Sequence, residues 1–282
     1  RVVIDRGLDH VQFEWIPLFS GGHDSLCACH LASQHPKAPR PFVVHHINTG
    51  TGAKYPRRYV ERVCEQQGWR LEVHKSPDPK DHIETFVAER GMPGPVMHCC
   101  VYARLKERTI QKLAIERSKG ARPAMFLTGA RKQESTRRMG HAVAVRRGDG
   151  LYDTGNLRNP TRLWVAPCIA WMPEDQHIYM QEFGLPRNRL KDLLGLSGEC
   201  FCGCFADQGD DENPDTEPAE RLAIREHVPD VDERRSELEA IAEANDKPCV
   251  WGRRPRSESK QDNEQPVLFE DLCTTCIARN RK

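Results

Sequence analysis

The stretch Phe13-Glu14-Trp15-Ile16-Pro17-Leu18-Phe19-Ser20-Gly21-Gly22-His23-Asp24-Ser25 decides how this chain is read. A short apolar run with aromatic residues stops at Ser20-Gly21-Gly22, and a stretch with helical texture, Asp24 to Ser33, follows at once. That order is strand, tight loop, helix. Further along, Pro41 to Ile47 is a second β-rich run ending in Asn48-Thr49-Gly50, after which Pro56 opens a helix carrying Tyr59, Val60, Val63 and Cys64. Leu71 to His74 reads as a third strand, Ile83 to Glu89 and Val101 to Ile115 as helices, and Pro123 to Thr128 as a strand ending at Gly129. Strands alternating with helices predict an α/β fold: a parallel sheet with helices on both faces. In such sheets crossovers are right-handed and ligands bind beyond the carboxyl ends of strands, which is where Ser20, Asn48 and Gly129 fall.

From Ala142 the elements become shorter. Leu163 to Trp171 is the best remaining strand and Pro173 to Phe183 a helix; Gly198 to Phe205 is a cysteine-rich loop. Asp207 to Glu217 is acidic and rich in turn formers, so it reads as exposed loop, Glu220 to Asn245 as one or two charged helices, and Arg253 to Gln265 as a mobile linker. There is no internal repeat. The expected division is an α/β domain over residues 1–195 and a small, mostly helical, cysteine-rich region over residues 196–282.

The 282 residues hold 42 Lys and Arg against 41 Asp and Glu, a formal net charge of +1, so the overall balance steers neither nucleic acid nor membrane. A nucleic-acid partner would have to meet local groups such as Arg57-Arg58, Arg137-Arg138 or Arg146-Arg147, which serve equally well as solvated surface. No apolar run approaches the ~20 residues that span a bilayer, and Arg1 to His10 do not resemble a signal peptide. The expectation is a soluble, cytoplasmic protein with no membrane partner. Because the chain opens on Arg1 and not on methionine, residues are expected to precede it.

In Ser20-Gly21-Gly22-His23-Asp24-Ser25 the glycines let backbone approach phosphate oxygens closely, while the N–H groups and dipole of the following helix supply positive potential. Ser20 and Ser25 add hydroxyl donors. An ordinary tight turn capped by Asp24 is the plainer reading, but six such residues between a strand and a helix favour a phosphate site.

This hexapeptide resembles the PP-motif, Ser-Gly-Gly-x-Asp-Ser, of the adenine nucleotide α-hydrolase superfamily. The resemblance implies that Ser20, Gly21, Gly22, His23, Asp24 and Ser25 hold the pyrophosphate of ATP while a nucleophile attacks the α-phosphate, usually with Mg2+. The variable position is often lysine in relatives that act in sulfur transfer; here it is His23, a side chain that ordinarily titrates near neutrality. Two further segments resemble the branch of phosphoadenosine phosphosulfate reductases. Asn48-Thr49-Gly50 is similar to its His-x-Asn-Thr-Gly segment, and Gly129 to Arg138 to its Gly-x-Arg-x-x-Glu-Ser-x-x-Arg signature. The carried-over roles put Arg131 on phosphate oxygens, Glu134 orienting it and Arg138 on a second anion, with Asp24 counted beside them as catalytic. The bland alternative is a basic surface loop. Leu105-Lys106-Glu107-Arg108 resembles a basic segment of the same family.

Sulfonucleotide reductases alter the glycine-rich loop and, in one class, end in a Glu-Cys-Gly-x-His tail. This chain has the ATP-type loop and lacks that tail. It more closely resembles the reductase-like proteins of DNA phosphorothioation, which implies an ATP pyrophosphatase that adenylates an oxygen for sulfur transfer. The implied partners are a nucleic-acid substrate and a sulfur-donor protein of the cysteine desulfurase type. Sulfonucleotide (PAPS or APS) reduction and non-catalytic nucleotide binding by a scaffold remain the rivals.

Of 12 cysteines, seven are grouped: Cys99 with Cys100, then Cys200, Cys202 and Cys204, then Cys273 with Cys276. Grouping in a chain of this kind favours metal over disulfides. Cys200, Cys202, Cys273 and Cys276 offer the four thiolates that a zinc ion or a 4Fe–4S iron-sulfur cluster needs, and spacing does not choose between them. A competing set joins Cys99 and Cys100, which resemble the adjacent cluster ligands of some adenylyl-sulfate reductases, to two of the Cys200–Cys204 group. Cys27, Cys29, Cys64, Cys168 and Cys249 are expected to be small buried hydrophobes.

Overall fold

The computed structural model describes residues 13–52, 54–118, 124–132, 145–147, 162–194 and 219–249. The elements in chain order are β1 (Glu14–Pro17), α1 (His23–Ser33), β2 (Val43–Ile47), α2 (Lys54–Gln66), β3 (Arg70–His74), α3 (Ile83–Arg90), α4 (His98–Tyr102), α5 (Arg108–Ser118), β4 (Ala124–Leu127), β5 (Val145–Arg147), β6 (Arg162–Val165), α6 (Pro173–Glu182), α7 (Arg189–Leu194), α8 (Ala219–His227) and α9 (Pro229–Ala244). A wider π turn, Ala103–Glu107, joins α4 to α5, so the helix read from Val101 to Ile115 is two helices run together.

Strands β1, β4 and β6 pair in parallel, with β5 antiparallel at the edge, and β2 pairs in parallel with β3. A bridge between Leu18 and His45, with Phe19 N–H donating to the His45 carbonyl at 2.9 Å, joins the two groups in the order β3-β2-β1-β4-β6-β5. Chain order reverses between β1 and β4. That reversal opens the crevice at strand carboxyl ends where this architecture receives ligands.

Strand alternation sends side chains to two cores, as expected for a sheet covered on both faces. Trp15, Met125, Leu127, Leu163 and Val165 pack with Leu26, Cys27 and Ala28 of α1 and Met180 of α6. Ile16, Ala124 and Phe126 pack with Leu113 and Ala114 of α5. Helix α1 is buried at every residue except Leu31, which its small residues permit by letting it lie close to the sheet. Helix α2, by contrast, buries one stripe: Pro56, Tyr59, Val60, Val63 and Cys64.

The strand expected from Leu163 to Trp171 ends at Val165. Pro167 has no N–H to give a ladder, and residues 167–170 turn instead. The charged C-terminal stretch forms two helices, with Pro229 at the first turn of α9 where its missing N–H costs nothing. They pack back on the α/β core: Leu238 and Ala242 of α9 meet Ile83, Phe86, Val87 and Met92, while Ile224, Val228 and Val231 close around Leu190. Met92 N–H donates to the Pro248 carbonyl at 2.9 Å, and Gly91 passes so close that a Cβ there would lie 2.2 Å from that oxygen. Cys27, Cys29, Cys64 and Cys168 are buried as expected; Cys249 is exposed, because it sits on this returning segment outside the core. None of the described helices is long and apolar enough to cross a membrane.

Candidate functional site

The loop after β1 turns at Gly21, whose φ of 83° lies in the left-handed region that glycine enters without strain. It is closed from within. Ser25 Oγ donates to the Gly22 carbonyl at 2.8 Å and accepts from Ser20 N–H at 3.3 Å, and the Ser20 and Ser25 hydroxyls lie 3.1 Å apart. The first turn of α1 then presents N–H groups that the helix itself does not consume.

His23 is 3% exposed and turned into the protein. Its Nε2 accepts the Asn188 N–H at 2.9 Å, while Asn188 Nδ2 donates to the Gly21 carbonyl at 2.8 Å. Burial holds the imidazole down to about 4, against the weaker opposing pull of Asp192, so it is neutral at physiological pH. The charge that the sequence leaves open at this position is therefore absent near neutrality.

Asp24 carries the polar side of the loop. Its carboxylate pairs with Arg131 through Nε, accepts from Arg131 Nη2 at 3.3 Å and accepts from Gln176 of α6. Both members of the pair are nearly covered, with side-chain exposures of 12% for Arg131 and 11% for Asp24. Gly129, just beyond β4, makes this meeting possible: a Cβ there would stand 2.4 Å from both Asp24 C and Ser25 N. Glycine is the residue that lets the β4 loop seat against the Ser20–Ser25 loop.

The Asn48 loop flanks the crevice on the β2 side. Asn48 Oδ1 accepts Gly50 N–H at 2.9 Å, the Thr49 and Thr51 hydroxyls lie 2.7 Å apart, and Gly50 has a φ of 74°. Arg234 of α9 donates from Nε to the Gly50 carbonyl at 3.0 Å and also pairs with Glu84 and Glu237.

The structure thus brings Ser20 to Ser25, Gly129 and Arg131 together, with Asn48, Thr49 and Gly50 at the end of the neighbouring strand. Glu134, Arg138, Cys200, Cys202, Cys204, Cys273 and Cys276 lie outside the described residues, as do Arg137 and the linker. Cys99 is half-buried and Cys100 exposed on α4. Lys106 lies over the Tyr102 ring, and Arg108 binds Asp81. Gln176, Asn188 and Arg234 escape a sequence reading, because each is a lone polar residue on a distant helix or loop and carries no local motif.

The chain matches the model of the phosphoadenosine phosphosulfate reductase domain over residues 14–194. It is similar to sulfate adenylyltransferase subunit 2 of Streptomyces lavendulae, at 29% identity over 187 residues, 60% of this chain and 54% of that one. The chain therefore spans about half the length of that curated relative. Among solved structures it is similar to phosphoadenylyl-sulfate (PAPS) reductase from Candida auris in its phosphate complex, with a TM-score of 0.49 and 16% identity over 71% of this chain and 87% of that one.

Proposed function

The chain belongs to the phosphoadenosine phosphosulfate reductase domain family, and within it we propose an ATP pyrophosphatase that activates a substrate oxygen for sulfur transfer. The observation that carries this reading is an intact Ser20–Ser25 loop, closed by its own serines, with Arg131 held at its rim by Asp24. A loop of backbone N–H groups at a helix start, with one guanidinium beside it, complements the charge that builds on phosphate as its bond to the leaving group breaks.

In the proposed reaction the substrate oxygen attacks the α-phosphorus, the bond to the bridging oxygen breaks, and pyrophosphate leaves. The terminal sulfur of the donor's persulfide then attacks the activated centre, and AMP leaves with the substrate oxygen. A second thiol cleaves the resulting S–S bond, releasing the thio product and leaving a disulfide on the donor side. Gly21, Gly22, His23 and Ser25 act through backbone N–H donors and Ser20 through its hydroxyl; the His23 ring works from behind, bracing the loop through Asn188. Arg131 turns from Asp24 to phosphate oxygens, and Gln176 keeps hold of the carboxylate. Magnesium would supply further screening of the phosphates, and Asp24 with phosphate oxygens and water is a donor set it accepts. Glu134 and Arg138 keep their proposed roles of orienting Arg131 and holding a second anion.

The substrate of this reading is a nucleic acid, as in DNA phosphorothioation, and the sulfur donor a protein of the cysteine desulfurase type. Cys200, Cys202, Cys273 and Cys276 are its proposed ligands for an iron-sulfur cluster or zinc. The family description favours a second reading, reduction of a sulfonucleotide, whose product is sulfite.

Incubating the full chain with ATP, Mg2+ and DNA or tRNA tests the choice. The expected result is pyrophosphate release that depends on nucleic acid and falls in Arg131→Ala. Sulfite release from a sulfonucleotide, with no binding of ATP, would overturn the proposal in favour of reduction. ATP binding with no turnover under any condition would leave a scaffold.

A further inference from the structure

Strands β2 and β3 place His45 directly opposite Glu72, with His74 two residues further along on the same face. His45 Nδ1 and His74 Nε2 are 2.9 Å apart, and Glu72 Oε2 lies 3.7 Å from the first and 3.9 Å from the second. These donors come from adjacent, hydrogen-bonded strands, so their spacing is fixed by register rather than by flexible side chains.

From this geometry we infer that His45, Glu72 and His74 form a binding site for a borderline divalent transition cation of the zinc type. Donors bound at ~2.0–2.1 Å in a tetrahedron stand roughly 3.3–3.4 Å apart, a separation that the three distances bracket. Two imidazoles and one carboxylate make up a donor set that suits zinc, with a fourth position left for water. The environment fits as well. His45 is almost wholly covered, while His74 and Glu72, at 20% and 21% side-chain exposure, leave a way in.

Other charged groups face the cluster. Arg117 of α5 donates to Glu72 Oε2, Arg70 approaches Glu72 Oε1 at 3.7 Å, and Glu116 and His46 are nearby. A carboxylate oxygen has lone pairs for both a guanidinium and an ion, and the Arg117 bond fixes Glu72 as outer partners fix metal ligands. The site is also tied to the crevice. The His45 carbonyl accepts Phe19 N–H, and the His74 carbonyl accepts Asn48 N–H at 2.8 Å, so the same two residues anchor the starts of the Ser20–Ser25 loop and of the Asn48 loop beside it.

The test uses reduced, chelator-treated full-length chain, zinc and cobalt alone as probes, and the variants His74→Ala and Glu72→Gln. Wild type should bind one zinc more than either variant. The cobalt difference spectrum should show ligand-field bands without sulfur-to-cobalt charge transfer, which separates this site from the cysteines. In the unmodified chain, zinc should protect His74 from diethyl pyrocarbonate, mapped by mass spectrometry; this readout needs no variant to fold. Equal stoichiometry and spectra in folded variants, or unprotected His74 at saturating zinc, would overturn the assignment. Pyrophosphate release plays no part in these readouts, so their failure would leave the proposed reaction standing.

Discussion

At the scale of the residue, the site depends on contacts too short to adjust. Gly129→Ala would drive a methyl group into the backbone of Asp24 and Ser25, atoms that no rotamer change can move aside. The chain should still fold, at a cost of about 1 to 3 kcal/mol, but its affinity for ATP should drop at least about tenfold by calorimetry. Unchanged affinity would show that the β4 loop does not shape the phosphate site. Arg131→Ala removes a charge-assisted bond of about 1.5 to 3 kcal/mol, or roughly ten- to a hundredfold in affinity for the anion. The guanidinium is legible in the sequence from the resemblance of Gly129 to Arg138 to a family signature. Its contact with Asp24 on the opposite loop is not, because no local motif joins residues so far apart in the chain.

At the scale of the element, one buried carboxylate links the turn Pro79–Asp81 to α5. Asp81 Oδ1 accepts from Arg108 at 2.7 Å, and Oδ2 from Lys112 at 3.0 Å and Ser76 at 2.7 Å. Burial alone would raise this carboxyl, but the bonds from Arg108, Ser76 and Lys112 outweigh it and hold it at about 2. A depressed folded value means that the stabilisation is present above the ordinary carboxylate range and lost as pH falls from about 4 through 2. The stability gap between wild type and Asp81→Asn, followed by urea unfolding, should therefore narrow by about 2 kcal/mol from pH 6 towards pH 2. A gap independent of pH would count against the ionic link. Hydrophobic spacing revealed the helices and strands around this carboxylate, yet not the π turn at Ala103–Glu107, since a wider turn leaves the apolar pattern of the flanking helices intact.

At the scale of the whole molecule, α9 belongs to the core although it is the last of the described elements. Leu238 is 2% exposed against Ile83 and Phe86, and Arg234 holds the Gly50 carbonyl. Leu238→Ala should cost about 2 to 5 kcal/mol, as buried leucine truncations do, and speed hydrogen exchange in Ile83–Arg90. Arg234→Ala should cost less stability but loosen the loop Asn48–Gly50, with faster exchange there than in β2. If exchange in both segments stayed at wild-type rates, the returning helix would be an appendage and not a support for the site.

The sequence by itself determined the alternation of strands and helices and the place of the Ser20–Ser25 loop between β1 and α1, because these depend on local periodicity and on glycine. Only the tertiary structure decided that β1 and β4 are neighbours, that Asp24 pairs with Arg131, and that His23 is buried and uncharged near neutrality. It alone set His45 against Glu72 and His74, and brought α9 onto Gly50. Pairings across long stretches of chain are fixed by burial and strand register, whose energies come from partners that no local window of sequence contains.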